Sequence, residues 1–220
     1  MTTARPAAAT AGPARRRARR GEGDRTREEI LAAAEELLAR SGSEDAVSIR
    51  AVADAVGVTA PSIYRHFPDK AHLIFEVCSR RFEELDRHVV DPILAADLDP
   101  VEALVELGRA YVRFGLAHPE HYRVMFMANA DHSPELYAEA DVVDGGSLGR
   151  IILLLQRAID AGRIRPDAGD AVVLTYVIWA ALHGVVSLAI GRPHLPGPTA
   201  EEQAEAMIDA VLHGIAVDPP

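Results

Sequence analysis

Apolar residues return every three or four positions along most of the chain, and no stretch alternates apolar with polar for long enough to make a strand, so the pattern predicts an all-α fold. Thr26 with Glu29 reads as a capping box ahead of a first helix carrying Ile30, Ala33, Ala34, Leu37 and Leu38, with Gly42 free to end it. Ser48 caps a short second helix whose inner face is Ile49, Val52, Ala53 and Val56, and Gly57 breaks it. Thr59 then caps a third, Ala60 to Phe67, in which Pro61 is tolerated because first-turn N–H groups have no intrahelical partner. Pro68-Asp69 restarts the chain into a longer helix with Leu73, Ile74, Val77, Cys78, Phe82, Leu85 and Val89 inward.

Beyond it, helix starts fall at Asp99-Pro100, His118-Pro119 and Ser133-Pro134, the last helix being interrupted at Gly145-Gly146. Leu148, Ile151, Ile152, Leu155 and Ile159 form a stripe closed by Gly162, and Thr199 with Glu202 caps a final amphipathic helix. Between them, Ala171 to Ile190 holds no formal charge and is apolar nearly all round. Such a segment is either a central helix buried on several sides or a membrane span. The interior residues Thr175, Tyr176, His183, Gly184 and Ser187, and the lack of a basic flank or aromatic belt, favour the buried helix over a membrane-anchored protein. About nine or ten helices are expected from the start and stop signals.

Composition sharpens this picture at three points. With 49% hydrophobic and 25% charged residues among 220, the chain is built to bury a core. The net charge of -10 hides an asymmetry: residues 1 to 80 hold 13 Arg and Lys against 11 Asp and Glu, residues 81 to 220 hold 10 against 22. A polyanion must therefore meet the N-terminal third, at +2, rather than the remainder, at -12. The single cysteine, Cys78, rules out an internal disulfide framework and reads as a small core residue of a cytoplasmic protein. The expected division is a disordered basic arm over 1–23, carrying Arg15, Arg16, Arg17, Arg19 and Arg20, a DNA-binding unit over 24–75 and a helical regulatory unit over 76–220.

The spacing from Ser48 through Ala53, Gly57, Thr59 and Tyr64 to Phe67 suits a helix-turn-helix: a small residue where two helices nearly touch, and a residue free to take positive φ at the turn. Val58, Ile63 and Phe67 are expected inside, with Thr59, Ala60, Ser62, Tyr64 and Arg65 outward and short enough to approach base edges. The run Ser48-Ile49-Arg50-Ala51-Val52-Ala53-Asp54-Ala55-Val56-Gly57-Val58-Thr59-Ala60-Pro61-Ser62-Ile63-Tyr64-Arg65-His66-Phe67-Pro68-Asp69-Lys70 resembles the DNA-binding domain of the TetR family across its length. That resemblance implies contacts to phosphate or base from Thr59, Tyr64 and His66, and a phosphate held by Lys70. With Thr26, Ser48, Arg50, Ala60, Pro61, Ser62 and Arg65 these complete the candidate DNA-contacting set. It also implies a homodimer on a double-stranded operator, repression rather than activation as the commoner outcome, and dimer contacts from the last two helices.

In the C-terminal half, His118 to Phe126 and Trp179-Ala180-Ala181-Leu182-His183-Gly184 resemble the regulatory domain of TetR-like proteins named for a Trp-His-Gly signature. A small, largely apolar effector is the implied ligand, with Phe114, Tyr122, Met125, Phe126, Tyr176, Trp179 and His183 as candidate wall and His183 the best polar group. Each of these is also ordinary core material. His118 and His121 flank Glu120 at a spacing suggestive of zinc, but Pro119 intervenes and no second ligand cluster follows, so no metal is expected. No cofactor and no enzymatic activity are expected either: there is no G-x-S-x-G and no phosphate-cradling glycine loop.

Overall fold

The computed structural model describes residues 22–41, 44–127, 134–139 and 146–217. Most of the basic arm, and Gly42, Ser133 and Gly145, lie outside them. The first helix, α1 (Glu22–Ser41), begins four residues before Thr26. Thr26 is therefore inside the helix and does not cap it, a correction to the expected capping box. The exposed first turns are supported by an ion pair between Arg25 and Glu29 at 2.8 Å, which also occupies the carboxylate the box needed. Ile30, Ala34 and Leu38 are buried as expected, Ala33 and Leu37 are half-buried beside them, and Leu31 joins the core although the stripe did not include it.

The second helix, α2 (Ile49–Val56), starts where the sequence says: the Ala51 N–H donates to Ser48 Oγ at 3.1 Å. Gly57 ends it at φ 76°, its N–H on the Ala53 carbonyl. The third, α3 (Ala60–Ile63), is a single turn, shorter than the expected Ala60–Phe67. Phe67 precedes a proline, which disfavours helical backbone, and must swing into the core, so His66 and Phe67 both close onto the Ile63 carbonyl instead. The chain then enters α4 (Lys70–Leu85), capped by Asp69. Val47, Val52, Ala53, Ile63, Phe67, Leu73, Ile74 and Val77 complete one apolar core with α1.

A π-helical turn, Asp86–Val90, carries α4 into the short α5 (Asp91–Leu94). The rest is α6 (Pro100–Ala117), α7 (Pro119–Tyr122) continuing into a π-helical turn Arg123–Met127, α8 (Pro134–Glu139), α9 (Ser147–Asp160), α10 (Ala171–Gly191) and α11 (Ala200–Ile215). Asp99 caps α6, Asp170 caps α10, and the Thr199–Glu202 capping box on α11 is complete in both directions. α6 runs through the middle against α9, α10 and α11. Gly115 lets it do so: a Cβ there would sit 2.5 Å from Val186 Cγ1 and 3.0 Å from the Tyr122 ring. Among the described residues the one β pairing is an isolated bridge between Ile164 and Ala216, so the fold is all-α.

The halves meet along α4. Its arginines hold α1: Arg80 pairs with Glu28 at 2.6 Å and Arg81 with Glu35 at 3.1 Å, while Arg27 of α1 reaches Glu76 at 3.0 Å. Val124, from the turn after α7, is buried in the N-terminal core, and its carbonyl accepts from Cys78 Sγ at 3.5 Å.

Candidate nucleic-acid interface

The turn between α2 and α3 is fixed by backbone chemistry. Val58 and Gly57 both donate to the Ala53 carbonyl, at 3.0 and 2.9 Å, which folds the chain back sharply at the left-handed Gly57. Ala53 is buried on α2, which packs against α1, and is the small residue the turn expects there. Behind α3, Ile63 and Phe67 are buried, and the guanidinium of Arg27 lies 5.0 Å above the Phe67 ring. The α3 segment is thus anchored from one side and stands free on the other.

On the free side Thr59, Pro61, Tyr64 and Arg65 are exposed, with Ala60, Ser62 and His66 half-buried between them. Tyr64 is 53% exposed, which settles it as a surface ring rather than a lid on the core. Thr59 occupies the N-cap position but makes no capping bond; its hydroxyl is instead 3.1 Å from Ser62 Oγ, which also accepts from Arg65 at 3.1 Å. The result is a polar ladder at three-residue spacing that holds the Arg65 fork along the helix. Ser48 and Arg50 are exposed at the start of α2, the latter 4.0 Å from Asp54 and too open to be held by it.

Lys70 opens α4 with its ammonium on the Glu44 carbonyl at 2.6 Å, half-buried, so one of its three donors is committed to the loop before α2. Beside it Asp69 accepts from the His72 N–H and ring at 2.9 Å; the backbone N–H first, and the imidazole second, hold its carboxyl below the usual range. Thr26 is half-buried along α1. Backbone N–H groups, hydroxyls, the Lys70 amine and the guanidiniums of Arg50 and Arg65 are the chemistry that grips phosphate and reads base edges.

The other predicted cluster is inside. Phe126 is its hub: its ring centroid lies 4.8 Å from Tyr122, 5.5 Å from His183, 5.9 Å from Trp179 and 5.2 Å from Phe82. Tyr176 is exposed at the rim, 6.0 Å from Trp179. Met125 and Phe114 pack into the neighbouring core of α4, α6 and α9, Phe114 facing His118. Tyr111 belongs to the cluster and was missed, being one of several inward apolar positions of α6; only its hydroxyl, aimed at Tyr122 and Trp179, sets it apart. Burial raises the pKa of both Tyr111 and Tyr122 and lowers that of His183, so all three are neutral near pH 7. Burial, with the carboxylates of Glu44 and Glu35 adding to it, pushes the Cys78 thiol up to about 12, leaving it an inert core group.

The family model described as bacterial regulatory proteins, tetR family, matches residues 30–77, and that described as tetracyclin repressor-like, C-terminal domain, matches residues 104–213. Neither distinguishes the Trp-His-Gly type. The HTH-type transcriptional repressor KstR of Rhodococcus jostii is 30% identical over 108 residues, 49% of this chain and 51% of that protein. The chain spans about half the length of the curated relatives it matches. Among solved structures, a Rhodococcus protein of unknown function superposes with a TM-score of 0.68 at 27% identity, covering 92% of this chain and 100% of the other. NalD, the secondary repressor of the MexAB-OprM multidrug efflux pump in Pseudomonas aeruginosa, superposes at 0.65 with 25% identity, covering 90% and 98%.

Proposed function

Because this chain belongs to the tetR family of bacterial regulatory proteins, we propose that it is a cytoplasmic transcriptional repressor that grips a palindromic operator as a homodimer and lets go when a small, largely apolar molecule enters its C-terminal half. The observation that carries this reading is the α3 face: Thr59, Tyr64 and Arg65 exposed outside, Ile63 and Phe67 buried behind them. Thr59, Ser62 and Arg65 meet phosphate and base edges, Tyr64 and His66 flank them, and Lys70 adds a phosphate contact while bracing the Glu44 loop. The unit over 24–75 does the reading; the unit over 76–220 does the sensing, with α4 common to both.

One such face reads only a few base pairs, so two are needed, about 34 to 36 Å apart. The second copy docks on α10 and α11. α10 is long and apolar enough to cross a membrane by length and composition, yet it is flanked by α6, α9 and α11. Val173, Val177, Ala180 and Leu188 are exposed on α10 with Gly184 half-buried, and Ala206, Ala210 and Gly214 are exposed on the adjoining α11. A Cβ at Gly184 or Gly214 would meet nothing within 4 Å, which is the shape a close helix crossing fills. The effector acts only through unequal affinity for two separations of the reading heads, and the ring cluster around Phe126 is where an apolar molecule would exert it.

Selection of duplexes by the protein from a random-sequence pool tests this. The expected product is a palindrome with half-sites one helical turn apart, bound by two chains, and Val177→Glu separates the chains and abolishes the shift. Recovery of no consensus at low salt with folded protein defeats the reading.

A further inference from the structure

Trp179 and Ser187 stand at either end of a hydrogen-bond chain, through His183, that DNA reading does not require. The indole Nε1 of Trp179, which can only donate, gives its hydrogen to Tyr111 Oη at 3.3 Å. The desolvated Tyr111 hydroxyl must place its own hydrogen, and Tyr122 Oη lies 3.0 Å away. Tyr122, which has no exposed surface, passes its hydrogen to His183 Nδ1 at 2.6 Å. That leaves the imidazole hydrogen on Nε2, where it donates to Ser187 Oγ at 3.1 Å. With each hydroxyl passing its hydrogen to the next acceptor, the chain runs in one sense from the indole and ends on a neutral imidazole.

A second proton on His183 would sit on Nδ1, where Tyr122 already points a hydrogen. Tyr122 would have to turn that hydrogen away, to the His183 backbone carbonyl at 3.5 Å or back to the Tyr111 or Ser187 hydroxyl, and either move breaks the one-way order of the chain. Two residues on, Val124 is buried in the N-terminal core against Cys78. The segment from α7 through its π-helical turn therefore has one side chain locked in each half of the molecule.

The geometry points to a proton-operated latch: the neutral chain from Trp179 to Ser187 pins the α7 segment onto α10, and protonation of His183 frees it and loosens the reading head's hold on DNA. Burial lowers the His183 pKa, so the latch is closed at neutral pH and opens in acid. The groups facing His183 are Tyr122 and Phe126 from the α7 segment and Trp179 and Ser187 from its own helix, with Tyr111 of α6 reaching it through Tyr122. None is charged at neutral pH, and among the described residues no ionisable side chain of α9 or α11 bonds to it. The effect on DNA rests on the proposed function; the latch itself does not.

Trp179 is the single tryptophan, so its emission reads the chain directly. The full-length protein is titrated from pH 8 to 5 for emission, and its affinity for a self-selected duplex is measured at constant ionic strength. Emission is expected to change in one reversible step with a midpoint below the ordinary imidazole value of about 6.5. The step is absent in His183→Gln, whose amide serves Tyr122 and Ser187 without titrating, and in Tyr122→Phe, which cuts the chain and keeps the ring. Added positive charge ordinarily tightens DNA binding in acid. Here wild-type affinity falls about tenfold relative to His183→Gln between about pH 7.5 and 5.5. A flat emission curve in the wild type, or a step that survives in His183→Gln, overturns the latch. An emission step with a wild-type to variant affinity ratio unchanged by pH overturns its link to DNA. If no duplex is selected, the proposed function falls and emission still decides the latch.

Discussion

The N-terminal and C-terminal halves of the molecule differ in one part of the chemistry that holds their shape. Both halves bury aliphatic side chains and tie their helices with arginine–carboxylate pairs, but the C-terminal half adds a cluster of rings around a charge-free chain of hydroxyls and one imidazole. In the first, Thr59, Tyr64 and Arg65 point away from the core and can be changed without disturbing the fold, whereas Ser48 and Lys70 also brace local backbone. In the second the candidate functional groups are the core, so function and stability cannot be separated. A rigid reading head and a deformable interior are what a molecule needs if an event inside is to move a surface outside.

The most severe way to break that contrast is to empty the first core. Phe67→Ala should cost roughly 3–5 kcal/mol, and because Val124 joins the cores, chemical denaturation followed by far-ultraviolet dichroism and by Trp179 emission should shift together. Separate transitions would mean that Val124 does not couple the halves. Overfilling the second core comes next. Gly115→Ala drives a Cβ into Val186 and Tyr122, should cost about 1–3 kcal/mol, and should alter Trp179 emission in the native state. Ser48→Ala, which removes one cap bond, should cost about 1 kcal/mol and leave Trp179 emission unchanged.

A gentler probe is acid. His183 takes up a proton at its ordinary value when unfolded and only at a lower pH when folded, so the unfolded state binds more protons between the two and stability must fall as pH drops through that window. Stability of His183→Gln should lack this component. Denaturation midpoints of both proteins across pH 5 to 8 decide it.

Much of this was legible in the chain. Side chains that act on their own local backbone mostly betray themselves by spacing: Ser48 and Thr199 cap as the sequence says, α6 opens at Asp99-Pro100 and Gly57 takes the left-handed turn, but the expected Thr59 cap fails because its hydroxyl turns to Ser62. Thr26 misled because Ser or Thr followed by Glu three residues on signals a cap only if the preceding residues leave the helix, and here the helix runs on from Glu22. The extent of α3 was set by where Phe67 had to go, a tertiary demand absent from local pattern. The ring cluster was half visible: Tyr122, Phe126, Trp179 and His183 were named, but Tyr111 lies 68 residues from Trp179 and only the fold brings them within 3.3 Å. The α1–α4 ion pairs were equally invisible, since arginine and glutamate at such spacings read as a solvated face.

The most direct test of the central claim is Tyr64→Ala, which removes a 53% exposed ring from the outer face of the reading segment. Its thermal stability should stay within about 0.5 kcal/mol of wild type, while affinity for the self-selected duplex should fall about tenfold or more. Unchanged affinity in a folded Tyr64→Ala protein would contradict the placement of α3 on DNA.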